Sequence, residues 1–163
     1  MKHIIGVLVH NHAGVLSKVA GLFSRRGYNI DSLAVGTTGD KNISRITIMT
    51  TGDEGTLEQI LKQLNKLIDV IKVADVSSNS VKRELALVKV AAPAASRGEI
   101  IEIGSIFRAN IVDVSTEMMT IEVTGPEDKV NALIKMVEPY GIVELVRTGT
   151  IAIQRGMAQL EEL

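Results

Sequence analysis

The chain of 163 residues contains no cysteine and no tryptophan, only two phenylalanines and two tyrosines, and three prolines. Without thiols, disulfides and thiolate chemistry are excluded, a composition that fits a cytoplasmic protein. With so few rings the core must be aliphatic, and the central strand Ile43 to Thr51 carries no aromatic on which a base could stack. Charge of one sign is missing too. The formal net charge is −1, with acids and bases interspersed, so there is no basic footprint for nucleic acid and no polybasic membrane anchor. The N-terminal apolar run, Ile4 to Val9, gives way at once to His10, Asn11 and His12. It is too short for a membrane span or a signal peptide. The expectation is a soluble, cytoplasmic protein with neither nucleic acid nor membrane as a partner.

What is present is organised around NHAGVLSKVAGLFSRRGYNI, Asn11 to Ile30. Val15, Leu16, Val19, Ala20, Leu22 and Phe23 fall on one stripe at the helical period. Gly27 follows Arg25 and Arg26, where a left-handed terminator and dipole-complementing cations are expected. At the other end, Asn11-His12-Ala13-Gly14 carries the chain from a strand into the helix N-terminus, where backbone N–H groups lack intrahelical partners. Gly14, with no Cβ, permits close approach to that backbone. Such an end suits an anion, including the carboxylate of a free amino acid.

Taken in order, Ile4 to Val9 reads as a central strand. After the helix, strands over Asn29 to Thr38 and Ile43 to Thr51 flank the turn residues Gly39 to Asn42. Ile46 and Ile48 alternate with Arg45, Thr47 and Met49, which predicts a half-buried face. A helix follows with Leu57, Ile60, Leu61 and Leu64 at helical spacing and a capping box from Thr56 to Gln59. Val70 to Val76 completes a β-α-β-β-α-β order over residues 1–76, the ferredoxin-like arrangement. Ser77 to Ser80 breaks the pattern, and residues 77–82 read as a linker. The order then repeats over residues 83–163. A strand spans Glu84 to Val90, and a second capping box, Ser96 to Glu99, opens a helix. Two more strands span Asn110 to Thr116 and Met118 to Thr124. Pro126 takes the first position of the last helix, and the closing strand is Ile142 to Ile153. The tail, Ala158 to Leu163, reads as a frayed helix or a small interaction segment. The later parts of the halves superpose at an offset of about 73 residues, Ile60, Leu61 and Leu64 falling on Leu133, Ile134 and Val137. The fold class is therefore α+β, with two ferredoxin-like βαββαβ domains. Only the first carries the polar-glycine turn. The second has Ala94-Ala95-Ser96-Arg97-Gly98 in its place.

No catalytic constellation stands out. There is no P-loop, no GxSxG and no dinucleotide turn, and all three histidines lie within the first twelve residues. His10 and His12 lack a third ligand for a metal. In a 4-1-3-2 sheet the second strand is an edge, and its run Ile30 to Val35 needs a cover. Pairing with the same strand of a second copy supplies one and gives a two-fold dimer. A cleft at that interface would join Asn11 and Gly14 of one copy to Asn29 and Ile30 of the other. Amide oxygens would accept from an ammonium and backbone N–H groups would hold a carboxylate. Val15, Leu16 and Ile30 would take a small aliphatic side chain.

At these residues the chain resembles a family. The first domain is similar to ACT domains, amino-acid sensors of metabolic enzymes. The whole chain resembles the small regulatory subunits of acetolactate synthase (acetohydroxyacid synthase). The likeness rests on Asn11 to Leu16, GLFSRRGYNIDSL (Gly21 to Leu33), SRITI (Ser44 to Ile48), QILKQLNKLIDVIKV (Gln59 to Val73), RELALVKV (Arg83 to Val90) and VRTGTIAIQRG (Val146 to Gly156). The resemblance implies a non-catalytic subunit that activates a large catalytic subunit and confers feedback inhibition by L-valine in branched-chain amino-acid biosynthesis. It implies that thiamine diphosphate, magnesium and FAD belong to the catalytic subunit and none to this chain. It also implies an effector site at Asn11, Ala13, Gly14, Val15, Leu16, Asn29 and Ile30 in an ACT dimer, and a second domain that contributes to catalytic-subunit contact. Three rivals set against it are a stand-alone amino-acid-binding regulator of another enzyme, an RNA-binding domain, and a small hydrolase on the same scaffold. The RNA reading lacks exposed aromatics and a basic face. The hydrolase reading lacks an arginine in the first turn.

Overall fold

The computed structural model describes residues 1–160. Its elements follow the order β1 (Lys2–His10), α1 (Val15–Arg26), β2 (Ile30–Thr37), β3 (Ile43–Thr51), α2 (Glu54–Asn65), β4 (Val70–Asp75), β5 (Ser80–Ala91), α3 (Ala94–Ile106), β6 (Asn110–Val114), β7 (Met118–Gly125), α4 (Glu127–Val137), β8 (Ile142–Arg147) and β9 (Ile151–Gln154). The sheet orders are β2-β3-β1-β4 and β6-β7-β5-β8, all antiparallel, with β9 added beside β5. This is the βαββαβ pattern twice, the expected pair of ferredoxin-like domains.

Each core forms where the two helices of a domain meet one face of its sheet. In the first, Ile5, Val7, Ile46 and Ile48 pack under Val19 and Phe23 of α1 and Ile60 and Leu64 of α2. In the second, Val88 and Ile121 pack under Ile100 of α3 and under Val130, Leu133 and Val137 of α4. Ile60 and Leu133 are both fully buried, as are Leu64 and Val137, so the repeat read in the sequence is a repeat of core positions. The α1 stripe is narrower than expected: Leu16 is exposed and Ala20 only half-buried.

Several local expectations are corrected. Asp53, not Thr56, caps α2, its carboxylate accepting from Thr56 N–H at 2.7 Å. An Asp placed three residues before that N–H satisfies an orphan donor directly, so the helix begins one turn earlier. α3 has no side-chain cap, since Pro93 stands at its N-cap, and Ser96 lies inside the helix. Pro126 is likewise the N-cap of α4 rather than its first residue. Ser80 to Lys82, read as linker, are the first residues of β5. Ser77 is tied down as well, its hydroxyl accepting from Ile4 N–H at 2.8 Å.

The closing strand is two strands, β8 and β9, broken at Gly149 with φ of 81°. The compact units follow that break. One comprises Met1–Val81 with the segment from Thr150 onward, and the other comprises Lys82–Gly149. Residues from Thr150, assigned from sequence to the second domain, pack with the first. Ala152 joins Ile4, Met49 and Val76 in a cluster on the sheet face away from the helices. Arg45 Nη2 donates to Ala152 O at 2.8 Å, and Arg155 N–H donates to Asn79 O at 2.9 Å. This cover explains why β3 is buried on both faces, with Thr47 and Met49 inside rather than half-exposed. Of the tail, Ala158 to Leu160 are not helical, and residues 161–163 lie outside the described residues. No helix among the described residues is long and apolar enough to cross a membrane.

Candidate effector site

β1 is tied to the β2–β3 hairpin at the point where it enters the turn. Asn11 N–H donates to Asn42 O at 2.7 Å, and Asn11 Nδ2 donates to Lys41 O at 2.9 Å. The side-chain amide is thereby fixed through its donor end, leaving Oδ1 as the acceptor presented outward. Asn11, Ala13, Gly14 and Leu16 are exposed, while Val15 is buried in the core and anchors the first turn of α1.

Gly14 is the N-cap of α1 and adopts φ 88°, ψ −9°, the left-handed region. Here the glycine is required by conformation, because an L side chain is strained at that φ. No side chain caps this helix end, and its first turn holds no acid. α2 and α4 differ: Glu54 follows the Asp53 cap, and Glu127 and Asp128 open α4. The α1 terminus keeps its partial positive charge uncompensated, the electrostatic condition for holding a carboxylate.

The surroundings are polar and titratable. Lys18, one turn into α1, donates to Asp69 Oδ2 at 3.0 Å. That hydrogen bond, ahead of the attraction of Lys18 and the two histidines, holds the Asp69 carboxyl below its ordinary pKa. His10 and His12 place their ring centroids 5.7 Å apart. Among the described residues no three His, Asp or Glu side chains gather as a metal would need.

Asn29 and Ile30 stand elsewhere in the chain. Asn29 Nδ2 donates to Asp31 Oδ1 at 2.5 Å, and its carbonyl accepts from Thr50 Oγ1 at 2.6 Å. The register fixes the separation. β1 leaves β3 at the pair His10↔Ile43, whereas β2 begins at Ile30↔Thr50. The two groups therefore lie at opposite ends of β3, about 20 Å apart at the usual strand rise. Within one chain the structure gathers Asn11, Ala13, Gly14, Val15 and Leu16 but not Asn29 and Ile30.

A residue that sequence reasoning passed over is Ser32, beside the Asp31 bulge, whose hydroxyl is buried with no hydrogen-bond partner among the described residues. Nothing in the local sequence distinguishes it from a serine facing solvent. Asp69 and Lys18 were also missed. Their far-apart positions become neighbours only because β4 pairs with β1.

Comparison with known proteins accords with this geometry. Residues 5–72 match the family model described as the AHAS small subunit-like ACT domain, and residues 83–156 match the model for the small subunit of acetolactate synthase. The probable acetolactate synthase small subunit of Archaeoglobus fulgidus is 58% identical over 156 residues, covering 96% of this chain and 98% of that protein. The acetolactate synthase small subunit of Mycolicibacterium smegmatis is 54% identical, covering 94% and 91%. The crystal structure of the small subunit from Thermotoga maritima superposes with a TM-score of 0.91 at 43% identity, covering 97% of this chain and 99% of that one. The two matched models together span nearly the whole sequence, and the ACT model covers the strand, turn and helix just described. The chain belongs to the acetolactate synthase small-subunit family.

Proposed function

We propose that this chain is the non-catalytic regulatory subunit of an acetolactate synthase. It binds the large catalytic subunit, raises its activity, and confers feedback inhibition by L-valine in branched-chain amino-acid biosynthesis. Thiamine diphosphate, magnesium and FAD belong to the catalytic partner. The observation that carries the effector assignment is the α1 N-terminus: an uncapped helix end without an acid, opened by a left-handed glycine.

The same proposal accounts for Asn29 and Ile30. β1 and β2 both run antiparallel to β3, hence parallel to each other. A two-fold copy pairing β2 antiparallel with β2 brings the start of one β2 to the end of the other, the end at which that copy's Asn11–Gly14 turn lies. The homodimer through ACT-domain edges thus assembles a site that one chain leaves divided, and it covers a free strand edge. In that site the α1 N–H groups take the valine carboxylate, the Asn11 and Asn29 amide oxygens take the ammonium, and Leu16 and Ile30 flank the isopropyl group. A ligand this small binds with roughly −5 to −8 kcal/mol, micromolar to sub-millimolar affinity.

Calorimetric titration of wild type and Gly14→Asp with L-valine tests the reading. A Cβ at Gly14 meets nothing within 4 Å, and Asp is among the non-glycine residues enriched at positive φ, so the variant carries backbone strain without a clash, and circular dichroism beside wild type verifies its fold. Its carboxylate places a negative charge where the ligand's must sit. The expected result is binding to wild type and at least about a hundredfold weaker binding to Gly14→Asp. Equal binding to both proteins removes the turn from the site. With the catalytic subunit added, the same variant is expected to activate it normally while making it valine-resistant.

A further inference from the structure

The helix-free face of the first sheet carries a row of small residues across all four strands: Ala34 of β2, Thr47 of β3, Gly6 of β1 and Ala74 of β4 are successive cross-strand partners. Larger residues border it, Met49 and Ile4 on one side, Arg45 and Leu8 on the other. The row is occupied. A Cβ built on Gly6 would lie 2.9 Å from Leu160 Cδ2, and Leu160 is 2% exposed. Ten residues earlier in the same segment Thr150 is 4% exposed, and Ala152 is held by the Arg45 guanidinium and the Ile4–Met49–Val76 cluster. Between these two anchors Met157 is 97% exposed. The segment is thus held along β9, which pairs with β5, at Arg155 and again at Leu160, with an exposed stretch around Met157 between, as a strap is.

The strap and the effector turn share their supports. Asn11 is bonded to Lys41 and Asn42 of the β2–β3 turn, and Arg45, three positions after Asn42 in β3, holds Ala152. β1 itself runs from Ile4 and Gly6 under the strap directly into the turn. At its other end the strap continues the chain that leaves Gly149 of the second unit.

The geometry points to Thr150–Leu160 being a regulatory strap whose seating on the first sheet is coupled to effector occupancy of the β1–α1 turn, with Arg45 as the positioning residue between them. This rests on the effector reading given above. Binding at the turn engages Asn11 Oδ1, reinforces the hold that Asn11 already has on the β2–β3 hairpin, and so tightens Arg45 on Ala152 and the strap on the sheet. By linkage, unseating the strap weakens effector binding by up to the same factor.

The test is amide hydrogen exchange across 151–160 in the full-length protein, with and without L-valine, alongside calorimetry on the same samples. Wild type should bind valine and slow its exchange in the strap about fivefold or more. Arg45→Met should still bind valine but lose that slowing. Gly6→Ala should displace the Leu160 tip, speed strap exchange without ligand, and weaken valine binding. It leaves the sheet intact, because the nearest contact is the end of a flexible side chain. Valine heat with unchanged strap exchange overturns the strap while leaving the effector site standing. Slowing that survives in Arg45→Met removes Arg45 from the route. No valine heat in wild type removes the effector reading and the strap with it.

Discussion

The two domains present the same junction, first strand to first helix, in opposite states. Neither α1 nor α3 has a side-chain cap or an acid in its first turn, but at the first junction the chain turns through Gly14 in a left-handed conformation. At the second, Pro93 stands at the N-cap. Arg97 folds back over the turn, giving two hydrogen bonds to Ala92 O, from Nε at 3.1 Å and Nη2 at 2.8 Å, and another to Ser115 O. A proline cannot supply an N–H, and a guanidinium already spent on backbone carbonyls cannot approach a ligand. One scaffold therefore yields an open junction and a closed one through a handful of turn residues, while both helix-packed cores are alike. On the proposed effector reading, the two domains differ in function at the junction and not in the sheet.

The strongest way to probe the closed half is through its buried charge. Glu84 in β5 has a side chain 4% exposed and pairs with Arg147 of β8, which also donates to Asn131 Oδ1 at 2.8 Å. Arg147→Met strands the carboxylate and should cost about 3–5 kcal/mol, read as a loss of unfolding free energy in denaturant. No single ion pair described in the open half carries a comparable load. A smaller effect is expected from Arg97→Ala, which takes charge-assisted bonds from carbonyls including that of buried Ala92. It should cost roughly 1.5–3 kcal/mol and create no second valine site, because Pro93 remains. Calorimetry should still find the wild-type number of valine molecules per chain. A gain of one would show that the arginine alone closes the junction.

Much of this was legible in the sequence. The helical stripes, the strand order and the left-handed stop at Gly27, observed at φ 69°, follow from local rules. The repeat led to equivalent buried positions. The failures share a cause, which is that the deciding partner is distant. Thr56 is the exception, a local miss: Asp53, three residues before it, takes its N–H and caps the helix. Leu16 looked buried because a stripe does not disclose how wide the opposing sheet is. The strap was missed because nothing near Thr150 says which domain it joins. One signal did point to it. Ile4 to Val9 is apolar without alternation, which demands cover on both faces of β1, whereas two helices cover only one. At the site, Asn11 and Gly14 could be chosen from sequence because glycine and turn chemistry are local. Lys18 and Asp69 could not, since only the β1–β4 pairing brings them together.

The weakest expected effect concerns that last pair and contrasts with the Glu84–Arg147 bridge. Lys18 is largely exposed and Asp69 is partly so, so solvent and salt screen their attraction. The Asp69 carboxyl is held below the ordinary carboxylate value, chiefly by the Lys18 hydrogen bond. A lowered folded-state pKa means that the contribution is fully present above the unfolded value and is lost as pH falls through the folded one. Lys18→Met should therefore leave the melting temperature at pH 7 almost unchanged, and any small difference from wild type should vanish as the pH is taken below about 4. Raising the salt should erase it at neutral pH as well. Were the difference large and insensitive to salt, the pair would be bracing the effector turn against β4, and the open junction would owe its shape to more than Gly14.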